Sequence, residues 1–164
     1  MLEEIISTGL TPTVQTDYTR WKPLHWILAV PDVITNGGFH AIIGNPPFRG
    51  GTYLTGDMGT NTRDWLVNVV AAGQRGNADL VAYFFRRAAS LLSLNGTLGL
   101  IATNSAAQGK TREVGLDSII RSGFAITRSI QSRPWPVGTV TLEFSAIWEP
   151  PAILDPMFID WQMA

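Results

Sequence analysis

The sequence contains no cysteine. Disulfides and thiolate metal sites are therefore excluded, and the absence fits a cytoplasmic protein. No apolar run reaches the ~18 residues of a membrane span. The opening stretch MLEEIISTG is acidic where a signal peptide would be basic. Charge is scarce, with 15% of residues charged and a formal net charge of −1. That balance supplies no global attraction to nucleic acid, so any such binding needs a local basic patch or another domain. The only histidines, His25 and His40, have no ligand partners at metal spacing. Both read as structural side chains, and no metal is expected. Repeats and low-complexity tracts are absent.

What is there is an apolar, globular composition, 45% hydrophobic over 164 residues. A domain of this size buries roughly two-thirds of its unfolded surface. Residues 2–7 read as a short helix and 8–23 as a Thr- and Pro-rich loop. Residues 24–33 are apolar but cut by Pro31, a poor helix or strand candidate. Residues 39–44, flanked by Gly37-Gly38 and Asn45-Pro46, read as a buried strand. Residues 49–63, rich in Gly and Thr, read as a mobile loop, with 64–72 a short helix.

The clearest helix covers 79–94. Val81, Phe84, Phe85, Ala88 and Leu92 share one face as a core stripe, and Asn95-Gly96 supplies a stop. Residues 97–103 form a second strand, 112–122 a helix ending at Gly123, and 124–131 and 140–148 two more strands. The segment SRPWPVG joins that last pair, and Trp135 within it carries no evident chemistry. The order strand, helix, strand, helix, strand, strand predicts a parallel α/β sheet with an antiparallel hairpin at one edge. Three parts follow: a lead-in over 1–36, a core over 37–149 and a Pro-rich tail over 150–164.

The unusual stretch is IIGNPPFRGG, residues 42–51. Two prolines stiffen the chain and remove two backbone donors. Asn45 and the carbonyls keep their acceptors, and Phe48 offers an aromatic face. In open α/β sheets ligands bind beyond the carboxyl ends of strands. Asn45 to Phe48 follows one such end and Asn104-Ser105 the next. A flat base with an exocyclic amino group suits this rim. The Asn45 side-chain oxygen and the Pro46 carbonyl would accept its N–H groups and stabilise charge building on nitrogen. Phe48 would stack on the ring.

These residues also carry a resemblance. Asn45-Pro46-Pro47-Phe48 after an apolar strand matches the catalytic motif of amino-group methyltransferases. The flanks PLHWILAVPDVITNGGFHAIIGNPPF and ADLVAYFFRRAASLLSLNGTLGLIATNS look like adenine-specific DNA methyltransferases of restriction and phage-defence systems. SRPWP followed by VTLEFSAIW is similar to the terminal hairpin of that group, so the likeness spans most of residues 24–148. The resemblance implies a partial Rossmann-like class I methyltransferase fold, S-adenosylmethionine as donor, and transfer to N6 of a flipped adenine. It carries over Asn45, Pro46, Pro47 and Phe48 as catalytic residues, with Asp79, Asn104 and Arg49 as substrate-binding candidates.

His40 stands where the family often has an acidic residue. Nothing in residues 1–36 resembles the family's glycine-rich cofactor turn or its ribose-binding acid. The chain thus looks like the second half of a catalytic domain, inactive alone, with the strand at 39–44 left as an unpaired edge open to another chain. Other readings stay open. The substrate is alternatively RNA or protein glutamine, or the chain is an inactive assembly partner. Asn-Pro-Pro-Phe is alternatively a plain turn, Asp79 a helix cap and Asn104 a strand-end turn residue. Arg49, Lys110, Arg112, Arg128 and Arg133 form a phosphate-contacting patch or solvated surface charge. Residues 50–59 form a lid or a loop.

Overall fold

The computed structural model describes residues 24–131, 144–149, 158–159 and 162–163. The expectations for residues 2–7, 8–23, 132–138 and 140–143, Arg133 and Trp135 among them, lie outside the described residues. The chain divides into two units, Met1–Asp32 and Val33–Ala164. In the first, α1 (Trp26–Ala29) is a single turn with Val30 N–H returning to the Trp26 carbonyl at 2.9 Å. The next helix, α2 (Pro31–Thr35), starts on the proline itself. Residues 24–33, read as a poor helix or strand candidate because of Pro31, thus carry helix on both sides of Val30. Proline is well placed at a first helical position, where its missing N–H would have had no partner.

The larger unit is built on a sheet. Its first strand, β1 (Phe39–Gly44), is entered through Gly38 at φ +109°. A Cβ at Gly38 would lie 2.5 Å from the Leu91 carbonyl oxygen, the same oxygen that accepts the Phe39 N–H at 2.9 Å. Only glycine supplies both the backbone angle and the room. After β1 come a 3₁₀ turn (Gly51–Tyr53), α3 (Leu54–Trp65), a π-helical turn (Leu66–Val70) and α4 (Leu80–Ala89). Then follow β2 (Leu92–Ala102), a 3₁₀ turn (Asn104–Ala107), α5 (Gly109–Val114), α6 (Leu116–Arg121) and β3 (Ala125–Gln131). The described segments end with β4 (Phe144–Glu149), β5 (Phe158–Ile159) and β6 (Gln162–Met163).

The strand order is β1-β2-β4-β3-β5-β6. β1 and β2 are parallel, with Ile42 opposite Leu98 and Gly44 opposite Leu100. β4 is antiparallel to both β2 and β3. The expected antiparallel pair is present, but it does not sit at an edge. β4 is inserted between two strands that run alike, and β5 continues the sheet beyond β3 in parallel.

Helix α4 is the centre of packing. Val81 and Phe85 join Leu98, Leu100 and Ala102 of β2 and Leu116 and Ile119 of α6 in one cluster. Leu80, Ala82 and Tyr83 face a second cluster with Leu54, Leu66, Val67, Ala71, Ala78 and Val114. Burial raises the pKa of the Tyr83 phenol, with Arg63 a smaller opposing influence. The helix is therefore covered on two sides, and the single stripe read from sequence needs correction. Phe84 is 41% exposed, while Phe85 is 1% exposed. Arg86 ties the layers together. Its Nε donates to the Val70 carbonyl at 2.7 Å, and its Nη1 donates to the Val114 carbonyl and to Ser118 Oγ. Desolvation, then Arg121, lowers its pKa.

Three boundaries differ from the sequence reading. The helix expected over 79–94 ends at Ala89, and Asn95-Gly96 lies inside β2 rather than stopping a helix. Leu92 pairs with Phe39, and a Cβ at Gly96 would sit 2.7 Å from the Phe39 carbonyl oxygen, so close strand approach explains that glycine. The loop expected over 49–63 is largely helical, because Leu54, 2% exposed, anchors it in the second cluster with Met58 packed alongside. Tertiary packing outweighs weak local propensity there. The helix expected over 112–122 is broken at Gly115, where a Cβ would lie 3.1 Å from the Ala82 Cα, although the stop at Gly123 (φ +97°) is as read.

The two-sided burial of α4 yields a direct test. Phe85→Ala is expected to cost about 3–5 kcal/mol, and Phe84→Ala about 0.5 kcal/mol or less. Urea unfolding of both variants measures the contrast, and comparable losses would contradict this helix orientation.

Candidate functional site

The rim begins where β1 ends. Because β1 and β2 are parallel and Gly44 lies opposite Leu100, the residues following both strands emerge at the same end of the sheet. Asn45 and Pro47 are exposed, Pro46 is buried, and Phe48 is 38% exposed. A buried proline between exposed neighbours fixes the rim to the body and leaves the Asn45 and Phe48 side chains accessible.

The chain just past Phe48 is clamped from both sides of one peptide pair. The Arg49 N–H donates to Asp79 Oδ1 at 3.2 Å, and the Arg49 carbonyl accepts from the Leu80 N–H at 2.8 Å. Asp79 Oδ1 also accepts the Val81 N–H at 3.1 Å, capping α4. Its Oδ2 accepts from Ser105 Oγ at 3.4 Å, and its own N–H donates to Thr111 Oγ1 at 3.0 Å. Ser105 Oγ lies 2.7 Å from Thr103 Oγ1. Asp79 is 8% exposed. Its carboxylate is satisfied by charge-assisted bonds and by the positive end of the helix it caps.

Gly51 completes the clamp. A Cβ there would meet the Asn77 carbonyl carbon at 2.3 Å and the Ala78 oxygen at 2.4 Å. The rim's return path presses directly on the backbone leading into α4, which a side chain would prevent.

Of the sequence-predicted site residues, the structure brings the main chain of Arg49 and the carboxylate of Asp79 into one network. Asn104 directly precedes Ser105, a member of that network. Asp79 is the cap that one reading described, and it also supports the rim. Ser105 was placed with Asn104 at the end of the next strand but given no role of its own, and Thr103 and Thr111 carried no expectation. Nothing marks a hydroxyl 32 positions from Asp79 as its partner. Among the described residues, no group of three or more His, Asp or Glu side chains is placed to hold a metal.

The basic patch is largely paired. The Arg49 guanidinium makes a two-point contact with Asp57, with Nη2 to Oδ1 at 3.0 Å, and lies 4.6 Å over the Tyr53 ring. That hydrogen bond is the main cause raising the Arg49 pKa. Lys110 pairs with Glu113 at 2.5 Å and Arg112 with Asp117 at 3.0 Å. Arg133 lies outside the described residues.

A family model of the Eco57I restriction-modification methylases matches residues 2–127. The chain belongs to the Eco57I restriction-modification methylase family. The Asn-Pro-Pro-Phe rim, its strand and the Asp79 clamp all fall inside the span matched to that family. Among solved structures, the chain is similar to the Type IIL restriction-modification enzyme MmeI in complex with DNA, at TM-score 0.56 and 21% identity. The match covers 73% of this chain and 16% of that one. The likeness is one of fold, and it agrees with the partial Rossmann-like methyltransferase architecture expected for an Eco57I-family chain. No curated protein matches the chain. No helix among the described residues is long and apolar enough to cross a membrane.

The clamp makes Asp79 testable by stability. Asp79→Ala removes the cap and leaves the Arg49 N–H without its acceptor. Those losses together are expected to cost about 2–4 kcal/mol. Asp79→Asn keeps an oxygen acceptor and should retain more than half of that stability. Thermal melts of the two variants decide it, and an Asn variant as unstable as the Ala variant would speak against the hydrogen-bond account.

Proposed function

We propose that this chain supplies the target-base rim of an S-adenosylmethionine-dependent methyltransferase acting on the N6 amino group of adenine in DNA. The observation that carries the reading is the Asn45–Phe48 rim, held rigidly at the carboxyl end of β1 in a chain of the Eco57I family. Asn45, through its side-chain oxygen, and Pro46, through its carbonyl, accept the two N–H groups of the amino nitrogen. Acceptors placed there stabilise the positive charge that develops as that nitrogen becomes tetrahedral. Pro47 limits the chain's freedom, and Phe48 stacks on the ring of a base turned out of the duplex. Asp79 holds the rim from behind, and Asn104 borders it from the end of β2. Positioning supplies much of the rate, so no general base is assigned.

The cofactor is a separate matter. The glycine pair after β1 does not make a cradle for it, because Gly51 is packed on the Asn77–Ala78 backbone. The described residues do not fit its main binding element. In this reading a cofactor-binding segment joins at the edge of β1 that no described strand occupies, from a second chain or another part of the protein. Restriction or phage defence is the setting the family suggests.

The test is methyl transfer from labelled S-adenosylmethionine by the chain, alone and supplemented with a cofactor-binding segment of a family member. DNA, RNA and protein glutamine are offered in parallel. N6-methyladenine in DNA is the expected product, only in the supplemented reaction, with Asn45→Ala lowering the rate by about 10²-fold or more. Label in RNA or in glutamine would replace the DNA reading. Calorimetric titration should show no cofactor binding by the chain alone.

A further inference from the structure

The side chain and the main chain of Arg49 are held by different partners. Asp79 and Leu80 fix its backbone, while Asp57 and Tyr53 fix its guanidinium. Both charged groups of the Arg49–Asp57 pair are well exposed, at 47% and 42%. Asp57 sits in the first turn of α3, ahead of a kink at Gly59 (φ 80°, ψ 162°) that separates this turn from the rest of the helix. A carboxylate meeting a guanidinium at two points occupies the positions that two oxygens of a phosphodiester would take. An exposed ion pair is weakly held, because solvent screens it. A phosphate can therefore displace Asp57 at small cost.

From this geometry we infer that Asp57 is an internal stand-in for a nucleic-acid phosphate, and that Arg49 exchanges the one for the other when a strand reaches the rim. The inference rests on the DNA reading above and adds to it a phosphodiester site and a residue that regulates it. Arg49 is one position from Phe48. A strand whose base stacks on Phe48 brings a phosphate within reach of that guanidinium. The Tyr53 ring keeps the guanidinium flat and in place after Asp57 leaves, as cation–π contacts with arginine do. With Asp57 in position the rim shows little net charge, in keeping with a chain whose formal net charge is −1. Binding then pays for the contact only where a strand is correctly seated.

The experiment is fluorescence anisotropy with a labelled single-stranded oligonucleotide carrying one adenine, titrated at several salt concentrations. The proteins are the wild type, Asp57→Asn, Arg49→Gln and the double variant, each checked for an unchanged melt. Asp57→Asn is expected to bind about twofold to fivefold tighter, with a salt slope steeper by roughly 0.7. Arg49→Gln should bind more weakly with a shallower slope, and the double variant should match Arg49→Gln. Equal tightening by Asp57→Asn with and without Arg49 would reduce the effect to general charge and overturn the exchange. So would unchanged affinity in Asp57→Asn, and in that case weaker binding by a parallel Phe48→Ala variant would leave the DNA reading standing. Absence of binding by all four proteins would overturn both.

Discussion

One carboxylate joins the parts on which the rim depends. Asp79 accepts from the chain leaving the rim, from the first turn of α4 and from the turn after β2. Its own amide is held by α5 through Thr111. These segments come from widely separated stretches of sequence, and each brings a group that burial would otherwise leave without a partner. A buried carboxylate with donors on both oxygens is favourable, whereas the same group with donors removed is costly. The network is therefore cooperative. The rim, the helix start and the strand end are placed together, and loss of one partner weakens the reason for the others.

That junction depends in turn on α4 being covered on two sides. Its Val81–Phe85 face rests on β2 and α6, and its Leu80–Tyr83 face on α3 and the π-helical turn. Arg86, with donors to Val70 and Val114, bonds both neighbouring layers from within the helix. Burial pushes its pKa down, yet an arginine stays charged, so its donors remain available. The position of Asp79 at the start of α4 is set by this packing. The rim inherits its rigidity from the core rather than from its prolines alone.

Parts of this were legible in the sequence for physical reasons. The strand at 39–44 showed a short apolar run between glycines and Asn-Pro, and the structure gives β1 those same bounds. The antiparallel relation of β3 and β4 followed from a short connection, but the insertion of β4 beside β2 did not. Strand order depends on pairing between distant segments, and local pattern does not encode it. Asp79 was legible as a cap because capping is a local signal. Its bonds to Ser105 and Thr111 were not, since sequence spacing carries no trace of them. Residues 54–63 read as loop because Gly and Thr favour loops, while a single buried residue, Leu54, supplies the packing that makes them helical. Phe84 and Phe85 are adjacent and chemically alike, and only the two-layer packing tells the exposed one from the buried one.

Among the described residues, the rim is held from one side. Its clamp is made by residues of α4, the turn after β2 and α5, and β1 itself pairs with β2 alone among the described residues. Among the described residues, no strand pairs with the opposite edge of β1. Ile43 on β1 is 87% exposed, although parallel strands are ordinarily covered on both faces. Residues 44–111 supply both the rim and the groups that hold it, and β1 enters that arrangement through its pairing with β2. The clamp on the rim is made within this span, so the rim's geometry can be probed independently of methyl transfer.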